Sequence, residues 1–243
     1  MPFIFRTSAG QSQWADQNLL LPLIFITATI DTNFVDVTSS MVMWYPFETT
    51  DFLSTPANPV LYNYATNSYD TTLYGSITGM STVDKKVGSA SLLLTAASSQ
   101  YALAPNWKPT VNGFSFALWY KTVSCGTWGR FIDFNTGTDS AANSNILMSP
   151  NGQGTNKLAT DIVGGTNTVD DQFLTDINYN DGAWRHLVWT SNYVASGSKT
   201  ASTPIYVNGS KNSGTPLTTY YPDPATTRTR NFIGKSNWTG DGY

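Results

Sequence analysis

Enzymatic chemistry needs a base, a nucleophile, a pair of opposed carboxylates or a metal cluster, and this chain is thin in all four. It has one histidine, His186, and one cysteine, Cys125. A serine or cysteine nucleophile needs an imidazole within hydrogen-bond reach. The alternation of AWRHLVWT puts His186 in mid-strand on an inward face with Trp184, which predicts a hydrogen-bonded core histidine. Cys125 reads as a small apolar residue at a strand end. Of 16 acidic residues, Glu48 is the sole glutamate. Asp170, Asp171 and Asp176 fall in a stretch that reads as a loop. No strand presents the opposed carboxylates that glycoside hydrolysis uses. Nor is there a GxSxG turn, a phosphate-binding loop or a His/Cys cluster with metal spacing.

Aromatic surface is what the chain has in quantity. Aromatic residues make up 14% of the sequence and charged residues only 12%, so Ser, Thr, Asn and Gly must supply most of the polar surface. A flat ring stacks on the C–H face of a sugar, or buries area against a protein, at low entropic cost. Trp107, Tyr220, Tyr221 and Trp238 stand outside the main strand pattern and are candidate platforms. Trp119 and Trp189 fall on the second faces of two strands, where they are candidates to line a groove. Asn208-Gly209-Ser210 and Asn237-Trp238-Thr239 match glycosylation acceptors, although Asn208-Gly209 is better read as a hairpin turn.

Charge narrows the partners. The formal net charge is −3, with a sequence pI of about 4.9, and no stretch clusters Lys and Arg. Nucleic acid would need a basic footprint, and Lys85-Lys86 is the sole basic doublet. A single cysteine excludes an intrachain disulfide, which argues against an animal secretory protein and fits a bacterial or virus-encoded one. The apolar run LLLPLIFITATI (19–30) is too short to span a bilayer and is interrupted by Pro22. Low charge with many hydroxyls suits a virion or a cell surface.

The elements that must position these side chains are strands. Residues 1–38 read as an N-terminal extended arm with β-type runs IFITATI and NFVDVT. From residue 39 onward, short β-type runs alternate with NG, DG and GG turns: MVMWYPFE (41–48), LYGSITGM (73–80), SASLLLTAASSQYALAP (89–105), GFSFALWYKTV (113–123), WGRFIDFN (128–135), NILMSP (145–150), KLATDIV (157–163), AWRHLVWTSNYV (183–194), TPIYVNGS (203–210) and RNFIGKS (230–236). That spacing predicts an all-β, two-sheet antiparallel sandwich. In GFSFALWYK, Phe114, Phe116, Leu118 and Tyr120 alternate with Ser115, Ala117, Trp119 and Lys121. Large groups on both faces predict a central strand covered on both sides.

The order of these runs resembles the laminin G-like jelly roll of the concanavalin A-like lectin/glucanase superfamily. MWYPFE is similar to the family's opening strand, and DKKVGSASLLLTAASSQYALAP to the hairpin that follows. GFSFALWYK, WGRFIDFNTG, DGAWRHLVWT, PIYVNGS and NFIGKSNWTGDGY resemble later strands in register, with Arg185 where the family has a first His and Asn135 where it has a Gly. The resemblance implies a jelly roll over residues 39–243 that lacks the family's final strand after Asp-Gly-Tyr. It implies ligand or partner binding, often to glycans. The retaining hydrolases of this fold carry Glu-x-Asp-x-x-Glu on one strand, a pattern absent here. The resemblance also brings in a rim Ca²⁺, for which Glu48 and Asp51 are the candidate ligands. The expectation is a non-catalytic binding or assembly module at a virion or cell surface, contacting neighbouring subunits or glycans, with no nucleic acid and no membrane span. A soluble carbohydrate-binding lectin is the alternative, and a glycoside hydrolase a distant one.

Overall fold

β-branched and aromatic residues in alternating runs of four to nine, broken by Gly and Asn turns, leave little choice but antiparallel sheets. The computed structural model describes residues 41–54, 57–138, 144–163, 170–193, 201–214 and 218–241. The expected arm at 1–38 lies outside them. Fifteen strands follow in order: β1 Phe52–Leu53, β2 Val60–Asn63, β3 Ser68–Tyr74, β4 Tyr101–Ala104, β5 Phe114–Tyr120, β6 Ile132–Asn135, β7 Ile146–Gly152, β8 Lys157–Val163, β9 Asp170–Asn178, β10 Arg185–Ser191, β11 Ala201–Ser202, β12 Ile205–Val207, β13 Ser210–Lys211, β14 Thr218–Thr219 and β15 Arg230–Ile233. The only helical elements among the described residues are single 3-10 turns at Thr49–Asp51 and Ala96–Ser98.

A nine-stranded sheet runs β1-β2-β3-β4-β15-β6-β7-β8-β9, and a four-stranded sheet runs β13-β12-β10-β5. β11 and β14 form a separate pair. The main core lies between the two sheets. Phe134, Ile146, Met148, Ile162 and Phe173 from the large sheet meet Tyr120, Leu187, Trp189, Ile205 and Val207 from the small one. The Trp189 ring stacks on Phe116 at 5.9 Å and meets Phe114 edge-on at 5.3 Å. A second core, of Leu61, Leu73, Ile77 and Ala102, fills the end of the large sheet under Tyr45, Phe52 and Leu94.

Four expectations are corrected. MWYPFE is extended but forms no ladder. Pro46 lacks an N–H, and Phe47 takes a φ of +60°, so pairing stops at Trp44, whose N–H donates to Asn63 Oδ1 and whose C=O accepts from Tyr64. LYGSITGM is strand only to Tyr74, because Gly75 (φ +83°) and Ser76 (φ +58°) turn the chain. The acidic stretch after residue 169 is not a loop but the nine-residue strand β9. Its Phe173 and Thr175 are buried while Asp176 is exposed, and a register shift between Lys157 and Ala159 of β8 disguises the period. Finally, β5 is not covered on both faces. It pairs only with β10 among the described residues and borders the small sheet, and Ser115 and Ala117 are exposed.

Candidate ligand-binding cleft

β15 lies between β4 and β6 near the middle of the large sheet. Its alternation sends Ile233 toward the two cores. Arg230 and Phe232 share the opposite face with Asn135 and Asp133, their register partners on β6. The same outer face carries the register pair Tyr74–Tyr101, stacked at 4.8 Å, and Tyr101 meets Phe232 edge-on at 5.3 Å. An aromatic strip thus crosses three neighbouring strands. Two cations sit on it. Lys235 Nζ is 4.3 Å from the Tyr101 ring centre and 5.2 Å from that of Phe232, and the Arg230 guanidinium is 5.3 Å from Phe232.

After β15 the chain turns at Gly234, whose φ of +81° suits glycine. A Cβ there would also strike Leu94. Residues 235–241 then fold back over the outer face of the sheet. Asp133 becomes fully buried there and receives five donors: Arg130 Nε (2.9 Å), the Asn237 N–H (3.1 Å), Asn237 Nδ2 (2.8 Å), Asn145 Nδ2 and Ser236 Oγ (3.4 Å). The other end of the Arg130 guanidinium pairs with Asp241. The Trp238 indole N–H donates to Asn145 Oδ1 at 3.2 Å, fixing the ring at the edge of this network. The returning segment itself, with Arg230 and Thr138, forms a cleft of about 280 Å³, lined also by Lys235, Trp238, Thr239 and Asp241.

The aromatic candidates part company here. Trp238 lines the cleft. Trp189 (0% exposed), Tyr221 (1%) and Trp107 (9%) are core residues, so none of the three presents a ring face to a ligand. Tyr220 packs partly buried against the same core. Trp119 faces outward from the four-stranded sheet, with Lys86 at 5.1 Å and His186 at 5.0 Å. Trp119 and Trp189 therefore lie on opposite faces of that sheet and share no groove. His186 is not inward either: it pairs with Trp119 across β5 and β10, while Leu187 and Trp189 take the core face. Desolvation holds its imidazole below the usual range.

The candidate metal ligands do not converge. Glu48 Oε2 accepts from both the N–H and the hydroxyl of Ser89, at 2.6 and 2.5 Å. Asp51 Oδ2 accepts from the Glu48 N–H (2.7 Å) and its Oδ1 from the Tyr64 hydroxyl (2.8 Å). These oxygens already face N–H and O–H donors, which a cation would have to displace, so the pair does not fit a Ca²⁺ site. No group of three or more His, Cys, Asp or Glu suited to a metal occurs among the described residues.

Other reactive groups are equally committed. Burial pushes the Cys125 thiol up to about 11, away from a nucleophile's range. Three aspartates titrate below the usual carboxylate range. Asp176 is held by Ser213 and Asn212, Asp181 by Arg185, and Asp223 by the Ala225 N–H and Thr226. A general acid at neutral pH needs the opposite displacement. Asn237 is 3% exposed and tied to Asp133, so its match to a glycosylation acceptor is a coincidence of sequence. Asn208 takes a φ of +52° and begins the hairpin turn between β12 and β13, as the sequence indicates.

Sequence reasoning missed Arg230, Lys235, Tyr74, Tyr101 and Phe232. The signal was present in RNFIGK, where positions 230 and 232 share a face. A further aromatic group, Tyr62, Tyr64 and Tyr69 with Trp44, was also missed. Ring centres there lie 4.8 to 5.5 Å apart, and Tyr69 is 44% exposed. No helix among the described residues is long and apolar enough to cross a membrane.

A search of curated proteins finds no match to this chain. A laminin G family model, described as the concanavalin A-like lectin/glucanases superfamily, matches residues 96–243, more than half of the chain. The match takes in β4 to β15 and the whole segment that builds the cleft, and it begins after MWYPFE. The two antiparallel sheets, the strand order and this match place the chain in the concanavalin A-like lectin/glucanase superfamily.

Proposed function

We propose that the protein is a non-catalytic, glycan-binding module of a virion or cell surface, and that the cleft beside Trp238 holds the sugar. One observation carries this reading: Trp238, Arg230 and Lys235 line one cleft beside an aromatic strip, on a rigid sheet. The ring offers a stacking face, and the surrounding amides, hydroxyls and cations offer directional contacts. Among the described residues, Asp241 lines the cleft and Asp133 anchors the segment that forms it; both are engaged by Arg130, so neither is placed to act as acid or nucleophile. The hydroxyl-rich, weakly charged surface supports an exposed location.

A second reading, assembly with neighbouring subunits, has one observation in its favour. β5 has no partner on its outer edge among the described residues, and its core-side residues Phe114, Phe116 and Leu118 are only half-buried. An open edge of this kind accepts a strand from another chain. Glycan microarray binding combined with light scattering separates the two. The lectin reading expects sugar binding by a monomer, and the assembly reading expects stable oligomers with no sugar bound. Turnover of a polysaccharide would overturn both.

A further inference from the structure

The charges at the cleft say more than that it binds sugar. The chain is acidic overall, at −3, yet this cleft gathers two cations at its rim. Arg230 is oriented before any ligand arrives. Its Nε donates to Asn237 Oδ1 at 2.9 Å, and its plane rests against Phe232. Asn237 is itself locked by Asp133, so the guanidinium is held from two sides. Ion pairs among the described residues join Lys121 to Asp84, Arg130 to Asp133 and Asp241, and Arg185 to Asp181. Arg230 takes part in none of them. Asp241, the one carboxylate lining the cleft among the described residues, is paired with Arg130. A guanidinium held by its Nε, with no carboxylate among the described residues on its two terminal nitrogens, is a fork shaped for a planar or tetrahedral oxyanion. Trp238 stands in the same cleft to take a ring.

We infer, building on the glycan-binding reading, that the cleft selects an anionic saccharide, whose carboxylate or sulfate ester pairs with Arg230 beside Lys235 while its sugar ring packs on Trp238. A neutral sugar offers the Arg230 fork only hydroxyl acceptors, without the charge assistance of an oxyanion. Recognition is therefore a difference between charged and uncharged glycans at one arginine, and not a general attraction by the molecule's field.

The test is titration calorimetry at constant ionic strength with three probes: trigalacturonate, the same trisaccharide with its carboxylates reduced to hydroxymethyl groups, and a sulfated trisaccharide. The wild-type protein, Arg230→Gln and Arg230→Lys are compared, with thermal melts confirming that all three are folded. The expected result is that at least one anionic probe binds about tenfold or more tightly than the neutral one. That preference is lost in Arg230→Gln and only partly kept in Arg230→Lys, which has the charge without the fork. Carboxylate and sulfate arms that differ identify which anion the site takes. Equal binding of neutral and charged probes, or a preference that survives Arg230→Gln, overturns this inference and leaves the glycan-binding reading standing. Binding of no probe overturns both.

Discussion

The two sheets end differently on their outer sides. On the small sheet, Trp119, His186, Val188 and Tyr206 form a face whose described cover is the Lys86 side chain over Trp119. On the large sheet, residues 235–241 return over β6 and cover the Arg130–Asp133 pair, whose side chains are 2% and 0% exposed. The same two-residue period produces both. Among the described residues, what differs is that a later segment of chain lies over the large sheet. Trp119 meets Lys86 and His186 on the outer face of the small sheet, whereas Trp238 on the covered face is anchored to Asn145 and flanked by cations.

That difference is broken most severely from inside. Removing Asp133 leaves Arg130 buried without its main partner, and Asn145 and Asn237 without their acceptor, so Asp133→Ala should cost about 3–5 kcal/mol in urea unfolding. Trp189→Ala opens a cavity between the sheets and should cost a similar ~3–5 kcal/mol. The two should separate in function. The covered face should lose ligand binding in Asp133→Ala, because the cleft segment loses its floor, while Trp189→Ala should retain binding at temperatures where it stays folded. Equal binding losses in both variants would mean that the cleft merely reports global stability.

A smaller effect comes from the turn that starts the second core. Glu48→Ala deprives Ser89 of its acceptor for two hydrogen bonds and should cost about 1–2 kcal/mol by the same unfolding assay. Added Ca²⁺ should not change the melting temperature of the wild type or of this variant. A Ca²⁺-dependent rise in wild type that Glu48→Ala abolishes would restore the metal reading.

The smallest effect is expected at His186, on the outer face of the four-stranded sheet. The unfolded chain binds a proton at His186 near pH 6.5, while desolvation lowers the folded value. Between the two the unfolded state holds more protons, so stability falls as pH falls through that window and is unaffected by this group above it. His186→Gln should flatten the loss of melting temperature between pH 7 and 5. An unchanged slope would show that the imidazole is as well solvated folded as unfolded.

Much of the sheet architecture is visible in the sequence, and the reasons are local. GFSFALWYKTV, KLATDIV and AWRHLVWTSNYV carry enough β-branched and aromatic residues in alternation to mark β5, β8 and β10 within about three residues at either end. β9 escaped because its aspartates mimic a loop and a bulge breaks its period. The face assignments failed for a different reason. In AWRHLVWT both alternate sets contain a tryptophan, Trp184 and Trp189, so hydrophobicity cannot choose between them. Only pairing with Phe116 and Leu118 of β5 settles that Leu187 and Trp189 face the core. The cleft was legible in part: Trp238 stood out as an aromatic outside the strand pattern. Its partners did not, because Arg230, Tyr101 and Tyr74 come together only through the β3-β4-β15 order, which joins residues far apart in sequence.

The most direct test of the account is to compare the two outer faces with one ligand. Affinity for the tightest-binding glycan is measured for wild type, Trp238→Ala and Trp119→Ala, each shown to be folded by its melt. The account predicts a loss of about tenfold or more in Trp238→Ala, from a stacking contact and its neighbouring hydrogen bonds, and an affinity within about twofold of wild type in Trp119→Ala. Loss of binding in Trp119→Ala with Trp238→Ala unaffected would move the site to the outer face of the four-stranded sheet and contradict the account.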